Sequence, residues 1–210
     1  MRKNGILTLT LLVILVLSAC GGEQTYEETF DEPDTWRTGS DADAVGQVVD
    51  GVYDMLVEAD DVTIWTTGGQ SFTDGEYQVE ATQVDGPDNN GYGMVFRLDD
   101  SKDDFYTFKI SGDGYVWIGR YHSGGAEAEP LIGDHWFESQ AVKKGVDQTN
   151  VLRVIAEGGN MIFFVNDQEV GRVTDSTFAS GDIGLLVDTL GQGGVHIQFD
   201  NFTVTPLEKE

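Results

Sequence analysis

The stretch GYGMVFRLDDSKDDFYTFKISGDGYVWIGRY, Gly91 to Tyr121, has the pattern of three β-strands joined by two polar turns. Within each strand apolar and other side chains alternate with period two, which is typical of a strand with one face against a core. Turn sequences rich in Asp, Ser and Gly separate the strands. Each strand also carries one residue that a simple core does not need: Arg97, Lys109 and Trp117.

Short runs rich in Val, Ile, Phe, Tyr and Thr continue along the chain between Gly, Asp and Asn. No segment after residue 25 clearly sustains an apolar helical period over three turns. We therefore predict an all-β fold over residues 26–207, an antiparallel β-sandwich of a dozen or so strands with little helix. Asn166-Asp167 predicts a hairpin turn, and a switch of apolar parity predicts a bulge near Asp200-Asn201.

The N-terminus has the pattern of an export signal, assigned to residues 1–19. Arg2 and Lys3 precede an uncharged apolar run of about 13 residues, too short to span a bilayer stably. The run ends in LSAC, which resembles a bacterial lipobox. This resemblance implies cleavage before Cys20, lipid on Cys20, a tether over 20–25, and a protein exported and anchored to the outside of a bacterial membrane. The alternative is an ordinary secretory signal with an incidental cysteine.

Charge and cysteine content restrict the partners. Twelve basic and 37 acidic residues give a net charge of −25. Such a surface repels phosphates and anionic headgroups, which argues against nucleic acid and against membrane contact other than through the lipid. Cys20 is the single cysteine, so no intramolecular disulfide can form. We expect one domain and a monomer.

Several motifs resemble concanavalin A-like lectin/glucanase jelly-roll domains of bacterial surface proteins, including those related to the 3-keto-disaccharide hydrolase family. They are FDEPDTW, NNGYGMVFR, DDFYTFKISGDGYVWIGRY, NVLRVIAEGGNMIFFVND, SGDIGLLV and FDNFTV. The resemblance implies the sandwich fold but names no ligand. Glucanase relatives carry ExDxxE, which places two catalytic carboxylates on one strand. This motif is absent from the sequence, which argues against glycosidase activity.

Strand alternation suggests a ligand-binding face. Phe96 and Leu98 are assigned to the core together with Met94, so that Arg97 points the other way. If the central strands are neighbours, four residues share the side away from the core: Glu80, Arg97, Lys109 and Trp117. An aromatic ring can stack on a sugar, while the charged groups can bond hydroxyls or a sugar carboxylate. The alternative is a solvated sheet face with an Arg97–Glu80 ion pair.

Other candidate sites are weaker. Trp136 either flanks this face or fills the sandwich edge, and Trp65 belongs to the core or the face. The three histidines, His122, His135 and His196, have no metal-ligand spacing. We expect no cofactor. Relatives with this sandwich sometimes bind structural calcium, for which Asp31 and Asp200 are candidate ligands, although hydrated turns explain both equally well.

The leading hypothesis is a non-catalytic, carbohydrate-binding surface lipoprotein whose partner is a polysaccharide or cell-surface glycan. Two alternatives stay open. One is a glycoside hydrolase-type enzyme, which needs two carboxylates in one groove. The other is a structural or protein-interaction module.

Overall fold

The computed structural model describes residues 24–33 and 35–207. The predicted signal peptide, Cys20 and most of the predicted tether lie outside the described residues. None of the described residues belongs to a helix that could cross a membrane. The strands are β1 (Tyr26–Glu28), β2 (Gly39–Ser40), β3 (Ala44–Val49), β4 (Val52–Val57), β5 (Thr63–Phe72), β6 (Gly75–Asp85), β7 (Gly91–Asp99), β8 (Asp104–Ser111), β9 (Tyr115–His122), β10 (Glu127–Pro130), β11 (Phe137–Glu138), β12 (Thr149–Glu157), β13 (Asn160–Val165), β14 (Gln168–Thr174), β15 (Gly181–Asp188) and β16 (Val195–Thr205).

The strands form two antiparallel sheets. The nine-stranded sheet has the order β14-β13-β12-β6-β16-β4-β3-β2, and β1 also pairs with β16. The seven-stranded sheet has the order β10-β9-β8-β7-β15-β5, and β11 also pairs with β9. The predicted antiparallel β-sandwich is therefore confirmed. Twelve strands have six or more residues, and the other four have two to four.

The main core lies between the two sheets, because the strands of both sheets turn alternate apolar side chains inward. Tyr77, Val79 and Ala81 of β6 are fully buried there. Phe96 and Phe108 face them from the seven-stranded sheet, and Phe96 packs 5.5 Å from Tyr77, ring centroid to centroid. This alternation confirms the inward parity predicted for β6 and β8.

Two predicted local features are present. Asn166 and Asp167 connect β13 to β14 with φ values of 49° and 62°, as a type I′ hairpin turn requires. The pairing of β16 with β6 shifts register between Asp200 and Thr203, and Asn201 has a φ of 50°. The bulge predicted near Asp200-Asn201 therefore explains the switch of parity in the last strand.

Candidate functional site

The seven-stranded sheet has a second apolar layer on the face that points away from the nine-stranded sheet, which we call the outer face. Strand alternation brings together side chains from β7, β8, β9 and β15. We call this group the outer-face cluster; its buried members are Val95, Leu98, Phe105, Trp117, Tyr121 and Leu186. Trp65 and Trp136 are partly buried and pack against it. Trp65 therefore belongs to the outer face and not to the main core.

A buried ion pair lies within this aromatic layer. The Lys109 ammonium pairs with the Asp188 carboxylate, and the two residues are only 2% and 3% exposed. The Lys109 Nζ atom is 4.1 Å from the centroid of the Trp117 ring and 3.3 Å from the Tyr121 hydroxyl. It is also 5.6 Å from the centroid of the Trp136 ring. The rings therefore enclose the ammonium as in a cation–π cage, with Asp188 as its counter-ion.

The second oxygen of Asp188 is unsatisfied. Its Oδ1 atom is buried and has no hydrogen-bond partner among the described residues. A buried carboxylate oxygen without a donor is costly, and such groups are found at sites that take up water or a ligand. Trp136 lies over Gly91 at this point, where a Cβ atom on Gly91 would be 2.9 Å from the indole. A glycine at position 91 therefore leaves room for the indole above Asp188.

An open pocket of about 210 Å³ lies beside Trp136, at the end of the sheet where β8 ends and β9 begins. Tyr115 and Leu190 are two of the few large apolar residues that are well exposed, at 38% and 43%. Asp113 accepts a hydrogen bond from the Ser111 hydroxyl. The pocket lining consists of Asn89, Ser111, Asp113, Tyr115, Trp136 and Leu190.

Arg97 does not share this face, contrary to the sequence interpretation. The pairing of β7 with β8 shifts register after Phe96, and Arg97 has a φ of 53°. This bulge turns the guanidinium away from the outer face and moves Leu98 into the outer-face cluster, so assigning Leu98 to the main core was wrong.

The Arg97 guanidinium instead joins three loops. It donates to the carbonyl oxygens of Thr73, Gly158 and Phe178 at 3.2, 2.7 and 3.1 Å. It also forms an ion pair with Asp74 at 3.1 Å, and the residue is 1% exposed. All of these partners belong to the protein itself, so Arg97 has a structural role in this geometry.

Glu80 lies in the other sheet. In β6 it pairs with Asp200 of β16 and Val151 of β12, so both the shared face and the Arg97–Glu80 ion pair were wrong. The chain crosses from one sheet to the other between β6 and β7, which are consecutive in sequence but not paired. Burial, together with the nearby charges of Glu80 and Asp31, raises the pKa of Asp200.

The structure therefore brings together two of the four predicted residues, Lys109 and Trp117. Sequence reasoning missed Asp188, which ends the apolar run GLLVD, and missed Asn89 and Leu190, which lie in turns. For Asp188, the available signal was an acidic residue at the end of an otherwise apolar strand, an arrangement that needs a partner. In the described residues, no group of three or more His, Cys, Asp or Glu is arranged to hold a metal ion.

These features define a concanavalin A-like jelly-roll sandwich with an aromatic outer face. The chain belongs to the 3-keto-α-glucoside-1,2-lyase-like domain family, whose model matches residues 25–205. The family is thus named for an activity on a saccharide. Among curated proteins, none is significantly similar in sequence to this chain.

Solved structures with the same fold have low sequence identity to this chain. The carbohydrate-binding module CBM66 from Bacillus subtilis superposes with a TM-score of 0.65 at 18% identity, over 82% of this chain and 97% of the module. A prokaryotic β-1,3-1,4-glucanase from a mouse hindgut metagenome gives 0.63 at 15%, over 87% and 99%. The β-glucanase of Bacillus licheniformis gives 0.64 at 12%, over 90% and 100%. At these identities the likeness shows the fold alone.

Proposed function

We propose that the protein is a carbohydrate-binding surface protein that holds a glycan in the pocket at the end of the outer face. The observation that carries this proposal is the exposed apolar surface of Tyr115 and Leu190, which lies beside Trp136 and the polar groups of Asn89 and Asp113. The C–H side of a sugar ring packs on aromatic surface, and its hydroxyls need polar partners at the edge. Family membership and the likeness to a carbohydrate-binding module support the same conclusion.

In this proposal Lys109 and Trp117 shape the site from beneath. The Lys109 ammonium is already occupied by Asp188 and the surrounding rings, and the Trp117 ring is 6% exposed. Their role is to fix the position of Trp136, which lines the pocket. Arg97 and Glu80 have no part in the site because their positions in the fold keep them from it.

The test is glycan binding by variants of exposed residues, which leave the fold intact. Tyr115→Ala should weaken binding to a responsive polymer from a panel of β-glucan, mannan and xylan by about tenfold, the loss of one aromatic stacking contact. Val49→Ala is the matched control, because Val49 is also 38% exposed but lies on the nine-stranded sheet. Equal binding by wild type and Tyr115→Ala in affinity electrophoresis and calorimetry would remove the pocket from the proposal.

A second candidate function is elimination on 3-keto-glucosides, the activity for which the family is named. The observation that favours it is the buried Asp188 Oδ1 atom, which has no partner among the described residues and belongs to a carboxylate paired with Lys109. A carboxylate with a free oxygen can act as a general base, and an adjacent ammonium can stabilise an enolate oxygen.

In that reaction Asp188 would remove the C2 proton, which the neighbouring C3 ketone acidifies. The C1–O bond would break as the C1=C2 double bond forms, and the leaving oxygen would take the proton that Asp188 removed from C2, which returns Asp188 to its carboxylate form. The ring of Trp136 would have to move aside, because Asp188 is 3% exposed. The test is nitrophenol release from a nitrophenyl 3-keto-α-glucoside, with the unsaturated product identified by mass. Equal nitrophenol release by the wild type and by Asp188→Asn would exclude Asp188 as the general base.

The lipid anchor remains a proposal from residues 1–20. Leu17-Ser18-Ala19-Cys20 is the segment that carries it. Expression of the full chain in a bacterium with an alkyne-tagged fatty acid should label the wild type and leave Cys20→Ala unlabelled. A wild-type protein released without label would support the ordinary secretory signal instead.

A further inference from the structure

We infer that the outer-face pocket takes glycans without anionic groups and excludes uronates. This inference rests on the proposed function and specifies its ligand class. Among the six residues that line the pocket, Asp113 is the one with a charged side chain. A sugar carboxylate placed there would meet a like charge at the protein surface, where the repulsion is weaker than in the interior but still disfavours an anionic ligand.

The turns next to the pocket add negative charge. The Asp113 backbone N–H donates to the Asp88 carbonyl oxygen at 2.9 Å, which brings the exposed side chain of Asp88 into the same turn region. Asp134 is two residues before Trp136 and is also exposed. The local field therefore has the same sign as that of the whole chain, whose net charge is −25.

Two cations near the pocket, Lys109 and Lys144, are already paired with carboxylates. The ammonium of Lys109 pairs with Asp188. The side chain of Lys144 packs over Gly114, but its Nζ atom is 3.0 Å from the Glu138 carboxylate. Arg97, which the sequence interpretation offered as a donor to a sugar carboxylate, is held by Asp74 and three carbonyls elsewhere.

The polar groups of the pocket are also those that neutral sugars use. A carboxylate and an amide, those of Asp113 and Asn89, together supply acceptors and donors for hydroxyl groups. A neutral hydroxyl can donate to Asp113, whereas a uronate carboxylate can only accept. Charge and hydrogen-bond direction therefore favour the same class of ligand.

The test compares two polymers with one backbone, a β-glucan and the same glucan oxidised at C6 to the uronate. We expect wild type to bind the parent glucan at least tenfold more tightly at pH 8 and low salt. The difference should shrink in about 1 M salt, where the screening length falls to about 3 Å. Asp113→Asn should reduce this difference in affinity, because it removes the negative charge. The asparagine keeps an oxygen that can accept the hydrogen bond from the Ser111 hydroxyl.

Asp167→Asn is the matched control. It removes the same charge from the distant β13–β14 turn, where the Asp167 side chain is 93% exposed. Equal affinity of the wild type for both polymers would overturn the inference and leave the proposed function standing. The inference would also be overturned if Asp167→Asn reduced the affinity difference between the two polymers as much as Asp113→Asn does. The net charge of the protein, and not the pocket, would then determine the selectivity. Binding to neither polymer, nor to mannan or xylan, would overturn the proposed function itself.

Discussion

The ammonium of Lys109 lies 4.1 Å from the centroid of the Trp117 ring and is neutralised by Asp188, which is 79 positions further along the chain. Lys109 and Trp117 are cross-strand partners in β8 and β9, while Asp188 comes from β15 on the far side of β7. The ion pair and the Trp117 ring therefore link three strands, β8, β9 and β15, across the outer face. The energetics of the ion pair depend on burial, because charges taken from water are stable only when paired.

Lys109→Met should destabilise the protein by about 3–5 kcal/mol, because it leaves the Asp188 carboxylate buried without its counter-ion. The double variant Lys109→Met/Asp188→Asn should be more stable than Lys109→Met alone, since it removes the unpaired charge. Urea denaturation of the four proteins in this cycle measures the coupling. Additive effects of the two substitutions would show that the pair contributes no coupling energy.

Arg97→Lys should cost about 2–4 kcal/mol of stability, because an ammonium cannot reach three carbonyls and Asp74 at once. Glycan binding should stay at the wild-type level, since Arg97 lies away from the pocket. Thermal unfolding and calorimetric titration of the same sample test both points. A loss of affinity without a loss of stability would return Arg97 to the binding site.

Asp200→Asn should stabilise the protein by about 0.2–1 kcal/mol at neutral pH, the size of a like-charge cross-strand contact with Glu80. Burial first, then repulsion from Glu80 and Asp31, raises the pKa of Asp200, while the hydrogen bond from the Asn201 backbone N–H opposes this shift.

The raised pKa means that ionisation of Asp200 favours the unfolded state. The advantage of Asp200→Asn should therefore appear as the pH rises from about 3.8, stay constant above the raised pKa, and vanish below 3.8. Unfolding measured from pH 3 to pH 8 tests this, with Asp134→Asn, in an exposed loop, as the control. A gain that persists at pH 3 would have a cause other than ionisation.

Asp167→Gly should stabilise the β13–β14 hairpin by about 0.5 kcal/mol, whereas Asp167→Ala should destabilise it by about 1 kcal/mol. The φ of 62° at this position favours glycine and penalises a Cβ atom. The contact between Asp167 and Arg153, at 3.6 Å, contributes little because the Asp167 side chain is 93% exposed. Thermal unfolding of both variants tests this prediction. A higher melting temperature for Asp167→Ala than for Asp167→Gly would contradict the assignment of a type I′ turn.

Much of the fold could be predicted from local sequence. Alternation in β6 and β8 identified their core faces, and Asn166-Asp167 identified a hairpin, because these features depend on neighbouring residues alone. Alternation failed at Arg97, where a bulge with a positive φ reverses the parity of β7. The residues of the run MVFRLDD are compatible with a regular strand and with a bulge, so the sequence alone does not reveal the bulge.

The sequence by itself determined the antiparallel sandwich, the acidic surface and the outward direction of Lys109 and Trp117. Only the tertiary structure decided that β6 and β7 belong to different sheets, that Asp188 is the counter-ion of Lys109, and that Asn89, Tyr115 and Leu190 meet in one pocket. The physical reason is the separation along the chain of the residues that decide each feature. Side-chain alternation is a property of each strand, whereas strand order and loop contacts depend on how distant segments pack to bury a common core.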